Sequence, residues 1–110
     1  MKIKVETAMD SLELINDTIR VVVSNEEYCF ALSEVEEVLI ITNDLGPIYD
    51  DMCMAIKINE ETAIFIMSEH PSYSSFLFDQ LGKAISINYE KIIEASTCIE
   101  NNVFLIYKRE

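Results

Sequence analysis

Polar and apolar residues alternate in the first two thirds of the chain, and the spacing turns helical after residue 70. Lys2, Ile3, Lys4, Val5 and Glu6 open a segment over 2–8 with a period of two, which predicts an edge strand with lysines on its open side. Residues 9–15 fit either a short helix through Met9, Leu12 and Ile15 or a strand ending at Ile15. Asn16-Asp17 is turn chemistry. The β-branched run 19–24 predicts a strand, Asn25-Glu26-Glu27 a tight connection, and 28–32 the returning arm of a hairpin. Ser33 and Glu36 have capping-box spacing, good for one helical turn before a strand at 38–42. Met52, Met54, Ile56 and Ile58 give a strand with one strongly apolar face, and Asn59-Glu60-Glu61 turns it into another at 62–67.

The period then changes. Pro71 suits a first helical turn, Tyr73, Phe76, Leu77 and Leu81 recur at helical spacing, and Gly82 reads as the stop. Asn88 is placed to cap a second helix that packs Ile92, Ile93, Ala95 and Ser96 inward. After Asn101-Asn102 the run 103–107 is apolar at every position, which predicts a strand inside the sheet. The order predicts one α+β domain over residues 1–110. It is a largely antiparallel, twisted sheet of about six strands, with both helices on one face and the final strand inserted beside an earlier one. The two Asn-Glu-Glu triplets, at 25 and 59, are too short a match to indicate a duplicated hairpin.

One stretch interrupts this pattern. Residues 42–51 hold Gly46, Pro47 and three acids between two apolar runs, and read as an ordered loop in which Thr42, Gly46 and Pro47 are structural. Asp44, Asp50 and Asp51 are the one carboxylate group that a hard cation could use, but their spacing is not that of an EF-hand. Asx-turn and backbone-amide bonding is the expected use of these acids, with no metal and no cofactor.

Segments 34–51 and 76–107 resemble a family of small, acidic, mostly uncharacterised bacterial proteins. Their pattern has an Ile or Val upstream of Thr-x-Asp-x-Gly-Pro, a further acid, an apolar strand, two helices and a closing Ser/Thr, Asn and Phe. Val35, Thr42, Asp44, Gly46, Pro47 and Asp51 match the first part. Leu81, Ile92, Ile93, Ala95, Ser96 or Thr97, Asn102 and Phe104 match the second. This chain departs from the pattern at Met52-Cys53-Met54, where members carry aromatics, and at 85–88, where they carry Gly-Phe-Asp. The resemblance implies the same fold order and brings no activity with it.

Charge narrows the function classes more than any motif does. The 110 residues carry a net charge of −12, and residues 21–56 contain eight acids with no Lys or Arg. Such a field repels nucleic acid and anionic lipid and attracts basic proteins. Glu26, Glu27, Glu36, Glu37, Asp44, Asp50 and Asp51 are therefore the candidate partner-binding residues. Cys29, Cys53 and Cys98, without paired spacing and inside apolar runs, read as buried free thiols, and no segment suits a signal peptide or a membrane span, so a cytoplasmic protein is expected. The single histidine, His70, stands beside Pro71 with no nucleophile signature around it, and is read as a capping or solvated residue. The expectation is a non-enzymatic, acidic protein-binding module. A bacterial immunity-type or regulatory protein that neutralises a basic partner is its most concrete form, with self-association left open. The alternative is a small enzyme or ligand-binding domain using carboxylates of the 43–51 loop.

Overall fold

Eight strands and two helical segments form the chain in a computed structural model that describes residues 1–42, 52–98 and 101–109. The strands are β1 (Lys2–Val5), β2 (Ser11–Ile15), β3 (Thr18–Val23), β4 (Glu26–Ala31), β5 (Glu37–Thr42), β6 (Met52–Lys57), β7 (Ala63–Met67) and β8 (Asn102–Lys108). They divide between two sheets. Strands β2, β3 and β4 make an antiparallel meander, and the other five make a mixed sheet in the order β1-β7-β6-β5-β8, in which only β1 and β7 run parallel. The α+β class and a last strand paired into the sheet hold. The single sheet of about six strands resolves into two sheets, and β8 pairs with β5 at the outer end of its order rather than between strands.

The meander is built by its turns. Asn16 and Asp17 both have positive φ, as do Ser24 and Asn25, the left-handed pair that a two-residue hairpin requires. Asn and Asp tolerate that region better than most residues. The second turn is thus Ser24-Asn25, while Glu26 and Glu27 stand in β4 opposite Val23 and Val22. Of residues 9–15, Ser11–Ile15 resolve as strand because Leu12 and Leu14 pair with Val21 and Ile19 across the ladder. Leu32–Glu34 is one 3₁₀ turn. It begins after Ala31 rather than at Ser33, and the Glu34 carboxylate accepts the Ala31 N–H at 3.2 Å.

Residues 71–84 form one helical segment, α1. Pro71–Ser74 is α-helical, Ser75–Leu81 is wound wider as π-helix, and Gly82–Ala84 returns to α. Tyr73, Phe76, Leu77 and Leu81 all point into the core. Gly82 is not the stop. Its φ is helical, and a Cβ there would fall 2.2 Å from the Tyr89 hydroxyl and 3.0 Å from the Leu77 carbonyl, so glycine permits a close approach. The second helix, α2 (Tyr89–Thr97), is capped by Asn88, whose side chain accepts from Lys91 N–H at 3.3 Å. It buries Ile92 and Ala95, one turn apart, while Ile93 is 65% exposed and Ser96 bonds the Ile93 carbonyl.

One core joins these parts. Ile3, Val5, Val38, Ile40, Met54, Ile56, Ile64 and Ile66 line one face of the five-stranded sheet, and the meander and both helices cover it. Burying a side chain of that size is worth roughly 1.5–3 kcal/mol. No helix among the described residues is long and apolar enough to cross a membrane.

Candidate functional site

The opposite face of the five-stranded sheet has no such cover among the described residues. Strand registers place its side chains in three cross-strand rows. The first runs Lys108, Glu37, Lys57, Ala63, Lys2. The second runs Leu105, Leu39, Ala55, Phe65, Lys4, and the third Val103, Ile41, Cys53, Met67. Glu6, exposed and one residue past the end of β1, continues the third row. Eight apolar side chains thus stand in two adjacent rows, with Val103 and Leu105 exposed by 56% and 41%. At their β7 end these rows line a cleft of about 600 Å³ whose walls include Lys4, Glu6, Cys53, Phe65, Met67 and Glu69.

The order of β8 explains why every position of 103–107 is apolar. Val103 and Leu105 belong to the uncovered face, while Ile106 is buried under α2. The ladder slips by one residue between Val38 and Leu39, so Val38 faces Tyr107, Leu39 faces Leu105, and Ile106 is the extra residue of a bulge. Its carbonyl turns away from β5 and accepts Asn88 N–H at 2.8 Å. The stretch 85–88 therefore occupies part of the free edge of β8.

The candidate acids do not converge. Glu26 and Glu27 are exposed on β4, an outer strand of the meander. Glu27 and Glu13 hold Arg20 between them on the meander's outer face, with Glu13 at 2.9 Å, and these bonds raise the Arg20 pKa above its usual value, Glu27 first. Glu26 accepts from the Tyr28 hydroxyl at 2.6 Å, which raises the tyrosine pKa. Glu37 lies instead on the uncovered face of the other sheet, 3.8 Å from Lys57. Glu36 is half-buried, its backbone tied to Lys57 and Arg109. Asp44, Gly46, Pro47, Asp50 and Asp51 lie outside the described residues. Thr42 is buried at the end of β5, with its hydroxyl 3.6 Å from Cys98 Sγ.

No family model matches the chain, and no curated protein or solved structure does.

Two buried polar side chains serve the fold. The Asp10 carboxylate accepts the backbone N–H groups of Glu6 and Thr7 at 2.9 Å each and of Ser24 at 3.3 Å. The Thr7 bond leads in holding its pKa below the ordinary carboxylate value, against the opposing effect of burial. His70 caps α1 by accepting Ser72 N–H on Nδ1 at 3.1 Å. That leaves its proton on Nε2, which donates to the Thr7 carbonyl at 2.8 Å. Its one accepting nitrogen is thus taken by the cap. Among the described residues, no group of three His, Cys, Asp or Glu side chains is placed to hold a metal ion. The three cysteines form no disulfide, and none is buried as the apolar runs around them suggest: Cys29, on the outer strand β4, is exposed, and Cys53 and Cys98 are half-buried.

Proposed function

We propose that this chain is a non-enzymatic, acidic protein-binding module of a bacterial cytoplasm that docks a basic protein, in the manner of an immunity-type or regulatory protein. The observation that carries the reading is how charge is segregated. Lys2, Lys4, Lys57 and Lys108, half of the eight cations, sit together on the uncovered sheet face, where Glu6 and Glu37 are the acids. Elsewhere the described residues hold thirteen acids against four cations, and Arg20 and Lys91 among these are already paired with glutamates. A surface so nearly of one sign steers a cationic protein toward it and discourages an acidic one.

The test is capture of basic proteins from a bacterial extract by immobilised wild type and by a Glu26→Lys, Glu27→Lys variant. Each is run near 0.1 M and near 1 M salt, where the Debye length falls from about 10 Å to about 3 Å. Wild type should retain basic proteins at the lower salt only, and the variant should retain several-fold less. The same proteins recovered by both, at both salts, would mean that the charge serves solubility alone.

A further inference from the structure

We infer that the uncovered face of the five-stranded sheet is occupied by a second copy of this chain, packed face to face about a two-fold axis that runs across the strands between the two apolar rows. An isologous contact must match a surface to itself, and this face does so row by row. Rotation about that axis lays the second row of one copy over the third row of the other. Leu105 then meets Val103, Leu39 meets Ile41, Ala55 meets Cys53 and Phe65 meets Met67. At the end of the rows Lys4 meets Glu6, twice over, beside the cleft that gives these side chains room.

The first row explains why the occupant is this chain rather than a basic protein. Its three lysines fall outside the apolar contact as a polar rim, where they repel a cationic partner and offset locally the repulsion between two copies that each carry a net charge of −12. Packing through the face rather than the edges also follows. β1 is a four-residue edge carrying Lys2 and Lys4, and the edge of β8 is partly taken by Asn88. Two such sheets would lie about 10 Å apart with their strands within about 30° of each other. The surface proposed above for the basic partner remains free in this dimer, so the two readings stand or fall separately.

Sedimentation equilibrium decides the matter. Wild type is expected at twice the 12.6 kDa chain mass, and Leu105→Glu, at an exposed position, at the mass of one chain with an unchanged far-UV spectrum. Lys4→Glu and Glu6→Lys should each weaken the dimer by about tenfold, because the pair occurs twice. The double exchange should recover most of that loss. If Leu105→Glu does not fold, Val103→Glu and the charge exchanges, all at exposed positions, carry the test. A single-chain mass for wild type at every concentration overturns the proposal. So does a dimer indifferent to folded Leu105→Glu and Val103→Glu, or a double exchange as weak as the single ones. A wild-type monomer that still captures basic proteins removes the dimer alone.

Discussion

Replacing Asp10 should unfasten the link between the two sheets more than its single side chain suggests. The residue follows β1 in the connection to β2, and its carboxylate reaches both back to Glu6 and Thr7 and across to Ser24 in the β3–β4 turn. Asp10→Ala leaves three backbone donors without their acceptor. An unsatisfied buried donor costs about 1–3 kcal/mol, and hydrogen bonds to a charged group contribute about 1.5–3 kcal/mol each. Water entering the vacated site will meet part of the need, so the expected loss is about 2–4 kcal/mol. With a urea m-value of about 1–2 kcal/mol/M for a chain of this size, the midpoint should fall by about 1–4 M. Asp10→Asn keeps one carbonyl acceptor but turns an NH₂ group toward the backbone donors, and should lose about half as much.

The pH dependence separates the charge from the shape. The folded-state pKa of Asp10 is below its unfolded value, so the carboxylate's contribution is fully present above the unfolded pKa of about 3.9 and is lost as pH falls below that toward the folded pKa. The stability difference between wild type and Asp10→Asn should therefore be constant above about pH 5 and shrink as pH falls below about 4. The assay is urea unfolding followed by circular dichroism at several pH values. A midpoint for Asp10→Ala within about 0.3 M of wild type, or a difference from Asp10→Asn that does not change with pH, would refute the argument.

Two further expectations concern α1. His70→Ala removes both the cap on Ser72 and the bond to Thr7 and should cost about 1–3 kcal/mol, whereas His70→Asn, which can still cap, should cost less; a thermal melt checks both. Gly82→Ala gains about 1 kcal/mol of helix propensity but drives the Tyr89 hydroxyl from its place and disturbs its stacking on Phe78, with a net loss expected. Removing that hydroxyl with Tyr89→Phe should then make Gly82→Ala at least neutral, and a double-mutant cycle showing simple additivity would exclude the close approach as the reason for glycine.

Elements whose residues face one way were legible from the sequence. Ile3 and Val5 alternate with lysines and form the expected edge, Pro71 and Asn88 sit at the helix starts, and His70 is a cap because its neighbours define a helix terminus. Where a sequence signal has two physical causes, it failed. Apolar residues on both sides of β8 suggest a central strand, but Val103 and Leu105 line a face that no other described residue covers. Composition cannot distinguish cover supplied within a chain from cover supplied by another molecule. Gly82 likewise fits a helix stop as readily as a close contact, and only the position of Tyr89 separates them. Ile93 seemed to belong to the inward stripe of α2, yet a nine-residue helix lying over β8 and β5 buries only Ile92 and Ala95. The acidic block of 21–56 is a fact of order along the chain. Folding distributes Glu26, Glu27 and Glu37 between two sheets, and no local pattern encodes that separation.

The parallel pairing of β1 with β7 also sets an order in time. During synthesis β1 emerges first, yet the strand it joins begins at Ala63, after the whole meander has been made. At about 5–20 residues per second, β1 waits roughly three to twelve seconds for its neighbour. The meander, with every partner within 21 residues of chain, can close meanwhile. The lysines of β1 then have a second use, because an apolar strand left unpaired for that long is an invitation to the wrong neighbour, and Lys2 and Lys4 make this one a poor guest.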